Sequence, residues 1–132
     1  MKLDVEVNEA MEGHPSPLRL VILLYDRAIR YMEGGRYAIE HGDRDLQRIN
    51  LDKAQQSVLE MTTCLNMERG GEIAENLMSI YTYMHQELIE ANVSSRVEPI
   101  DRCLRMLAFL RETWMGVVGS EAEALEPIRK AA

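Results

Sequence analysis

The sequence has few of the features that mark secreted, nucleic-acid-binding or membrane-spanning proteins. Its only two cysteines, Cys64 and Cys103, form no close pair, which argues against a structural disulfide or a thiolate metal site. No apolar run approaches the ~18 residues of a membrane-spanning helix, and the first residues are too charged for a signal peptide. The net charge of −7 comes without a basic cluster, so we expect no nucleic-acid binding and no membrane insertion. These features predict one cytoplasmic domain.

Catalytic and metal-binding patterns are also missing. A di-iron helical bundle needs a Glu three residues before a His, but Ala38 and Thr82 hold that position before His41 and His85. The sequence contains no HExxH, no phosphate-binding Gly loop and no GxSxG. The sequence therefore contains no catalytic constellation, and we expect no catalytic residues, no metal and no cofactor. A metal-dependent bundle enzyme is the alternative, which stoichiometric iron or zinc in a metal analysis would support.

The most informative stretch that is present begins at Ser16-Pro17. Serine is a favourable N-cap residue and proline suits the first helical position, so a helix is predicted to begin here. A nearly unbroken apolar run extends from Leu20 to Tyr25. Because successive helical residues point about 100° apart, this run cannot lie on one face, and Leu23 is predicted to point away from the core. A second layer of the protein or another molecule must cover the surplus apolar surface.

Four segments show helical periodicity, and no segment shows the alternation of a strand. The segments cover approximately residues 17–41, 45–65, 72–91 and 95–118. The last one begins with a capping box from Ser95 to Glu98. Gly42 and Asp43 are predicted to stop the first helix and cap the second. The pair Gly34-Gly35 predicts a kink or a close contact between helices.

Short connections between these helices predict an all-α fold, an antiparallel up-down four-helix bundle. Residues 1–15 are predicted to form a short N-terminal helix or arm, residues 16–118 the bundle, and residues 119–132 a frayed or weakly helical tail. The third helix has a wide inward arc, predicted to hold Ile73, Leu77, Ile80, Tyr81, Met84, Leu88 and Ala91. Ile49, Tyr83 and Phe109 are predicted to face away from the bundle.

A set of spaced motifs runs through most of the chain. Residues 65–77 read LNMERGGEIAENL, and they are followed by Tyr81, Tyr83-Met84 and LIEAN at 88–92. Further motifs lie at Ser16-Pro17, Leu24-Tyr25-Asp26, Ala38-Ile39-Glu40, Gly42-Asp43, Leu110-Arg111 and Trp114. Together these motifs resemble the flagellin-specific flagellar export chaperone family FliS over about residues 16–116.

The resemblance implies a function as well as a fold. It implies an antiparallel helical bundle that is not an enzyme and that binds the disordered C-terminal segment of flagellin in the cytoplasm. The chaperone would block premature polymerisation of flagellin and assist its delivery to the export apparatus, whose components are further partners that the resemblance allows.

The surplus apolar surface of the first and third helices is the predicted client-binding site. The residues predicted to bind the client are Leu20, Leu23, Tyr25, Asn66, Ala74, Asn76, Leu77, Met78 and Tyr81. The alternative for Leu77 and Tyr81 is a place in the core, and the alternative for Tyr25 and Asp26 is to tie the bundle together. Leu23 is the clearest test because it is predicted to face away from the core.

A second function fits the same surplus surface. The protein would then be a generic helical adaptor or a self-associating bundle without a flagellin client. Its apolar groove would serve as a homodimer interface when no client is bound. Sedimentation in the presence of a flagellin tail peptide separates the two functions.

Overall fold

The computed structural model describes residues 17–131, and it describes the side-chain surroundings of residues 18–116. Four helices follow one another in this range: α1 at Pro17–Glu40, α2 at Arg44–Thr63, α3 at Met67–Ser94 and α4 at Glu98–Ala131. No strand occurs among residues 17–131, which confirms the all-α class. The predicted arm at 1–15 and the predicted N-cap Ser16 lie outside the described residues.

Side-chain pairs between neighbouring helices show that the bundle is antiparallel. Asp26 and Arg36 of α1 pair with Arg111 and Asp101 of α4, so residue numbers rise along one helix as they fall along the other. Helix α1 packs against α2 and α4, and α3 packs against the same two helices. Helices α1 and α3 therefore face each other diagonally across the core, as in an up-down four-helix bundle. None of the described helices has the length and apolar content needed to cross a membrane.

The turn between α1 and α2 has the predicted stop and start residues. Gly42 has a φ of 69°, a left-handed conformation that glycine adopts without steric cost at the end of a helix. Asp43 is the N-cap residue of α2, and its Oδ1 accepts a hydrogen bond from the Leu46 backbone N at 3.1 Å. Both predictions for this turn are confirmed.

The predicted capping box at the start of α4 is wrong. Ser95 is the C-cap residue of α3, with a φ of 53°, and its Oγ donates to Gln47 Oε1 at 3.2 Å. The hydroxyl is used in a contact with α2, and α4 begins only at Glu98. Helix α4 also continues beyond the predicted end near Val118, because the Ala- and Glu-rich residues that follow favour helix.

Gly71 divides α3 into a single turn and a long regular helix. Its φ of 50° and ψ of −127° are not helical, and a side chain at this position would be strained. The regular part of α3 therefore begins at Glu72, which is the predicted start of this helix.

A close contact between α1 and α2 explains the glycine pair in α1. A Cβ atom on Gly34 would lie 2.4 Å from Asn50 Oδ1, and one on Gly35 would lie 2.5 Å from Leu51 Cδ2. Helix α1 is continuous through this pair. Of the two predicted alternatives, the close contact is the one observed.

The core runs through all four helices and follows the predicted helix faces with one exception. Its largest fully buried side chains include Tyr25, Tyr81, Met32, Leu51, Met61, Met84, Leu88, Ile100 and Leu107. Ile49, Tyr83 and Phe109 are 49%, 41% and 70% exposed, as predicted. Ile73 is the exception: it is predicted to face inward, but it is 66% exposed. It lies just after the Gly71 break, where the described parts of the other helices leave it uncovered.

Candidate partner-binding surface

Partly exposed apolar side chains collect at the end of the bundle where α1 and α3 begin and α2 ends. This surface, the apolar end, consists of Leu20 and Leu23 of α1, Leu59 of α2, Leu65 of the α2–α3 connection, and Met67, Ile73, Leu77 and Met78 of α3. Leu59, Met67 and Ile73 are 50%, 45% and 66% exposed, and the other five are half-buried. Exposed and half-buried apolar side chains at one end of a bundle are available for contact with another protein.

Close to the apolar end, three aromatic side chains join α1, α3 and α4. The hydroxyl oxygens of Tyr25 and Tyr81 lie 2.5 Å apart, and Trp114 Nε1 donates to the Tyr25 hydroxyl at 3.0 Å. Burial is the main cause that raises the pKa of both tyrosines above the usual value, so both hydroxyl groups remain neutral. These contacts hold the diagonal helices α1 and α3 together through the core.

Two ion pairs fix α1 to its neighbours near the same level. Arg27 donates from both terminal nitrogens to the Glu60 carboxylate of α2, at 3.1 and 3.2 Å, and the arginine side chain is only 8% exposed. On the other side, Arg111 Nε of α4 donates to Asp26 Oδ1 at 2.5 Å. Forked arginine–carboxylate pairs restrict geometry as well as adding energy. Helix α1 therefore presents Leu23 from a position that is fixed on both sides.

The structure places the nine predicted binding residues in three environments. Leu20, Leu23, Leu77 and Met78 are half-buried in the apolar end, Asn66 and Asn76 are exposed, and Tyr25, Ala74 and Tyr81 are buried in the core. A partner cannot touch the three buried residues unless the helices separate. For Tyr25 and Asp26, the observed bonds are those of the alternative role, in which they tie the bundle together.

The apolar end also includes residues that sequence reasoning missed or assigned differently. Leu59 and Met67 are not among the predicted binding residues, and Leu65 and Ile73 are predicted to lie on the inward faces of their helices. The available signal was the Gly70-Gly71 pair, because a break there separates the turn containing Met67 from the regular helix. Asn66 caps that turn, since its Oδ1 accepts a hydrogen bond from the Arg69 backbone N at 3.0 Å.

An all-α bundle with accessible apolar side chains at one end fits the class of helical proteins that bind segments of other proteins. Among the side chains that the structure describes, residues 18–116, no group of three His, Cys, Asp or Glu is placed to hold a metal ion. The model of the family described as "Flagellar protein FliS" matches residues 6–121. The chain therefore belongs to the FliS family, as its motifs predict.

Curated relatives are similar to this chain over most of their length. "Flagellar secretion chaperone FliSB" of Pseudomonas aeruginosa is 31% identical over 109 residues, which are 83% of this chain and 86% of that protein. "Flagellar secretion chaperone FliS" of Campylobacter jejuni is 30% identical over 113 residues, 85% of this chain and 88% of that protein. The protein of the same name from Vibrio cholerae is 28% identical over 99 residues, 75% and 73% of the two chains. The family is one of flagellar secretion chaperones, and a chaperone acts on a client protein.

Proposed function

We propose that this protein is a flagellar secretion chaperone of the cytoplasm that binds the C-terminal segment of flagellin while that segment is disordered. Binding would prevent premature polymerisation of flagellin and assist its delivery to the export apparatus, whose components are further candidate partners. The observation that carries the proposal is the apolar end, found in a bundle that belongs to the FliS family.

The apolar end has the chemistry that a disordered client requires. Such a client loses conformational entropy when it becomes ordered, so its complex must bury extensive apolar surface. Full burial of one large aliphatic side chain contributes about 1.5–3 kcal/mol, and the apolar end offers several on α1, α2, α3 and the α2–α3 connection. Met67 and Met78 add flexible side chains that adapt to the shape of a partner. An amphipathic client helix would lay its apolar face on this surface.

A charge placed within the apolar end tests the proposal. Leu23→Asp removes apolar area and forces a carboxylate against the client, so calorimetry with the flagellin C-terminal segment should show at least about tenfold weaker binding. Ile49→Asp is the matched control, because Ile49 is 49% exposed on α2 and lies outside the apolar end. This control should bind as tightly as the unmodified protein. Thermal unfolding shows whether both variants are folded.

Two other outcomes would count against the proposal. Unchanged affinity in a folded Leu23→Asp protein removes Leu23 from the site, and failure of the unmodified protein to bind the flagellin segment contradicts the function itself. Sedimentation addresses the homodimer alternative on the same surface. A dimer that persists in excess flagellin segment supports self-association, whereas a monomeric complex supports the chaperone function.

A further inference from the structure

The methionines of residues 18–116 differ sharply in their exposure to solvent. Three of them lie in the core and are at most 1% exposed: Met32, Met61 and Met84. Met67 and Met115 are each 45% exposed, and Met78 is half-buried. A dissolved reagent therefore reaches the sulfur atoms of the surface methionines, whereas the fold protects those of the core.

Two of the accessible methionines belong to the apolar end. Met67 lies in the single turn that Asn66 caps, and Met78 lies in the regular helix beyond the break at Gly71. Met115 lies on α4, which contributes no side chain to the apolar end as defined above. Met67 and Met115 thus have the same exposure, but only Met67 lies where a client is proposed to bind.

Oxidation changes the chemistry of a methionine side chain without changing the backbone. A lone pair of the thioether sulfur attacks one oxygen of a peroxide, and an S–O bond forms as the O–O bond breaks. The hydroxide that leaves takes up the proton of the transferred oxygen and becomes water. The sulfur loses two electrons and the peroxide gains them. The resulting sulfoxide is polar, so an apolar contact surface that contains it is disrupted.

We propose that Met67 is an oxidation site, with Met78 as a slower second site, and that their sulfoxides lower the affinity of the apolar end for its client. This inference rests on the proposed function, because it concerns the client that binds there. A peroxide would release the client while the core methionines stay reduced and the bundle stays folded. Methionine sulfoxide reductases reverse this oxidation, so the change would act as a reversible switch.

The test treats the full chain with hydrogen peroxide for increasing times, and catalase removes the peroxide before any client is added. Mass spectrometry of proteolytic fragments should show Met67 and Met115 oxidised first, Met78 later and Met32 last. Calorimetry with the flagellin C-terminal segment should then show about tenfold weaker binding, because a sulfoxide oxygen covered by an apolar client loses its hydrogen bonds to water. Treatment with MsrA, MsrB and a thiol reductant should restore the affinity.

Matched variants locate the effect. Leucine has a similar volume to methionine and cannot form a sulfoxide. The double variant Met67→Leu, Met78→Leu should lose most of the effect of peroxide, with each protein compared with its own untreated form. Met115→Leu, which changes a methionine as exposed as Met67, should remain as sensitive as the unmodified chain. Thermal unfolding of the treated proteins shows whether they stay folded.

The outcomes separate this inference from the proposed function. If the untreated chain binds the flagellin segment and the chain oxidised at Met67 binds it equally well, the inference is overturned and the proposed function stands. An undiminished peroxide effect in the double variant, or oxidation of Met32 before Met67, would also overturn the inference. If the untreated chain does not bind the segment, the proposed function fails and the inference fails with it.

Discussion

The Tyr25 hydroxyl connects three helices through one group. Trp114 Nε1 can only donate, so the Tyr25 oxygen is its acceptor. Tyr25 and Tyr81 share one further contact, although they have two hydroxyl protons between them. One of these protons therefore has no acceptor among the described residues. The Tyr25 hydroxyl therefore has two hydrogen-bond partners, Trp114 and Tyr81, whereas the Tyr81 hydroxyl has one.

This difference predicts unequal effects of removing each hydroxyl. Tyr25→Phe leaves the buried Tyr81 hydroxyl and the half-buried Trp114 Nε1 without their partner. An unpaired buried group costs about 1–3 kcal/mol, and the half-buried Trp114 Nε1 costs less because water can reach it. Tyr81→Phe removes only the shared bond, at a cost of about 1 kcal/mol. Urea unfolding followed by the fluorescence of the single tryptophan measures both losses. Tyr83→Phe, at an exposed tyrosine of α3, should be close to neutral, and a larger loss for Tyr81→Phe than for Tyr25→Phe would contradict the proton count.

At the scale of residues, the sequence identifies side chains that make structural or binding contacts, but it is less reliable in assigning them to the core or to a binding surface. Tyr25 and Tyr81 are predicted to bind the client because they lie on wide apolar arcs, yet both are buried. Helical periodicity gives the direction of a side chain from its own helix axis, but it does not show which other helix covers that direction. Leu23, which is predicted to face away from the core, is half-buried, so periodicity predicts its direction but not how much of it neighbouring side chains cover.

At the scale of elements, the start of a helix can be predicted when its capping side chain bonds to a nearby backbone group. The prediction fails when a residue distant in sequence bonds to that side chain instead. Asp43 caps α2 through the backbone N of Leu46, three residues on, and the sequence contains that information. Ser95 has an equally favourable pattern, but its hydroxyl donates to Gln47, which lies 48 positions earlier in the chain. A contact of that kind depends on how α2 and α3 pack, so a local motif cannot reveal it.

The close approach of α1 and α2 predicts opposite effects at two adjacent glycines. Alanine favours a helix over glycine by about 1 kcal/mol, but a Cβ at position 35 would lie 2.5 Å from Leu51 Cδ2, in the fully buried core. Overpacking of this kind costs about 1–3 kcal/mol, so Gly35→Ala should lower stability. At position 34 the Cβ meets the half-buried Asn50 side chain, which can turn aside. Gly34→Ala should therefore be neutral or stabilising, and thermal midpoints that move equally for both variants would contradict this.

At the scale of the whole molecule, the order of the helices is predictable and the location of the exposed apolar surface is not. Four periodic segments with short connections leave little alternative to antiparallel neighbours, and that arrangement is observed. Met67 and Ile73 are exposed on either side of the break at Gly71. Which apolar side chains stay exposed depends on the packing between helices, and the periodicity of one segment does not predict that packing.

Burial in the core also makes the stability of the whole molecule depend on pH in the alkaline range. Cys103 is fully buried and donates from Sγ to the Met84 backbone oxygen at 3.6 Å. Burial raises the pKa of the Cys103 thiol from 9.0 to about 12. Above pH 9 the unfolded chain loses this proton while the folded protein retains it. Unfolding then releases a proton, so the free energy of unfolding falls as pH rises, whereas below pH 9 the thiol is protonated in both states and contributes no dependence.

Replacement of this one thiol isolates its contribution. Between about pH 9 and pH 11, the free energy of unfolding of the unmodified protein should fall more steeply than that of Cys103→Ala, by up to about 1.4 kcal/mol per pH unit. The cavity left by Cys103→Ala lowers stability by a similar amount at every pH, so it shifts the curve without changing its slope. Tyr25 and Tyr81, whose pKa values are also raised by burial, contribute equally to both proteins. Cys64→Ala, at an exposed thiol, should change this slope less. Urea unfolding at each pH gives the free energy of unfolding. If its dependence on pH has the same slope in Cys103→Ala and in the unmodified protein, the fold does not keep the Cys103 thiol protonated.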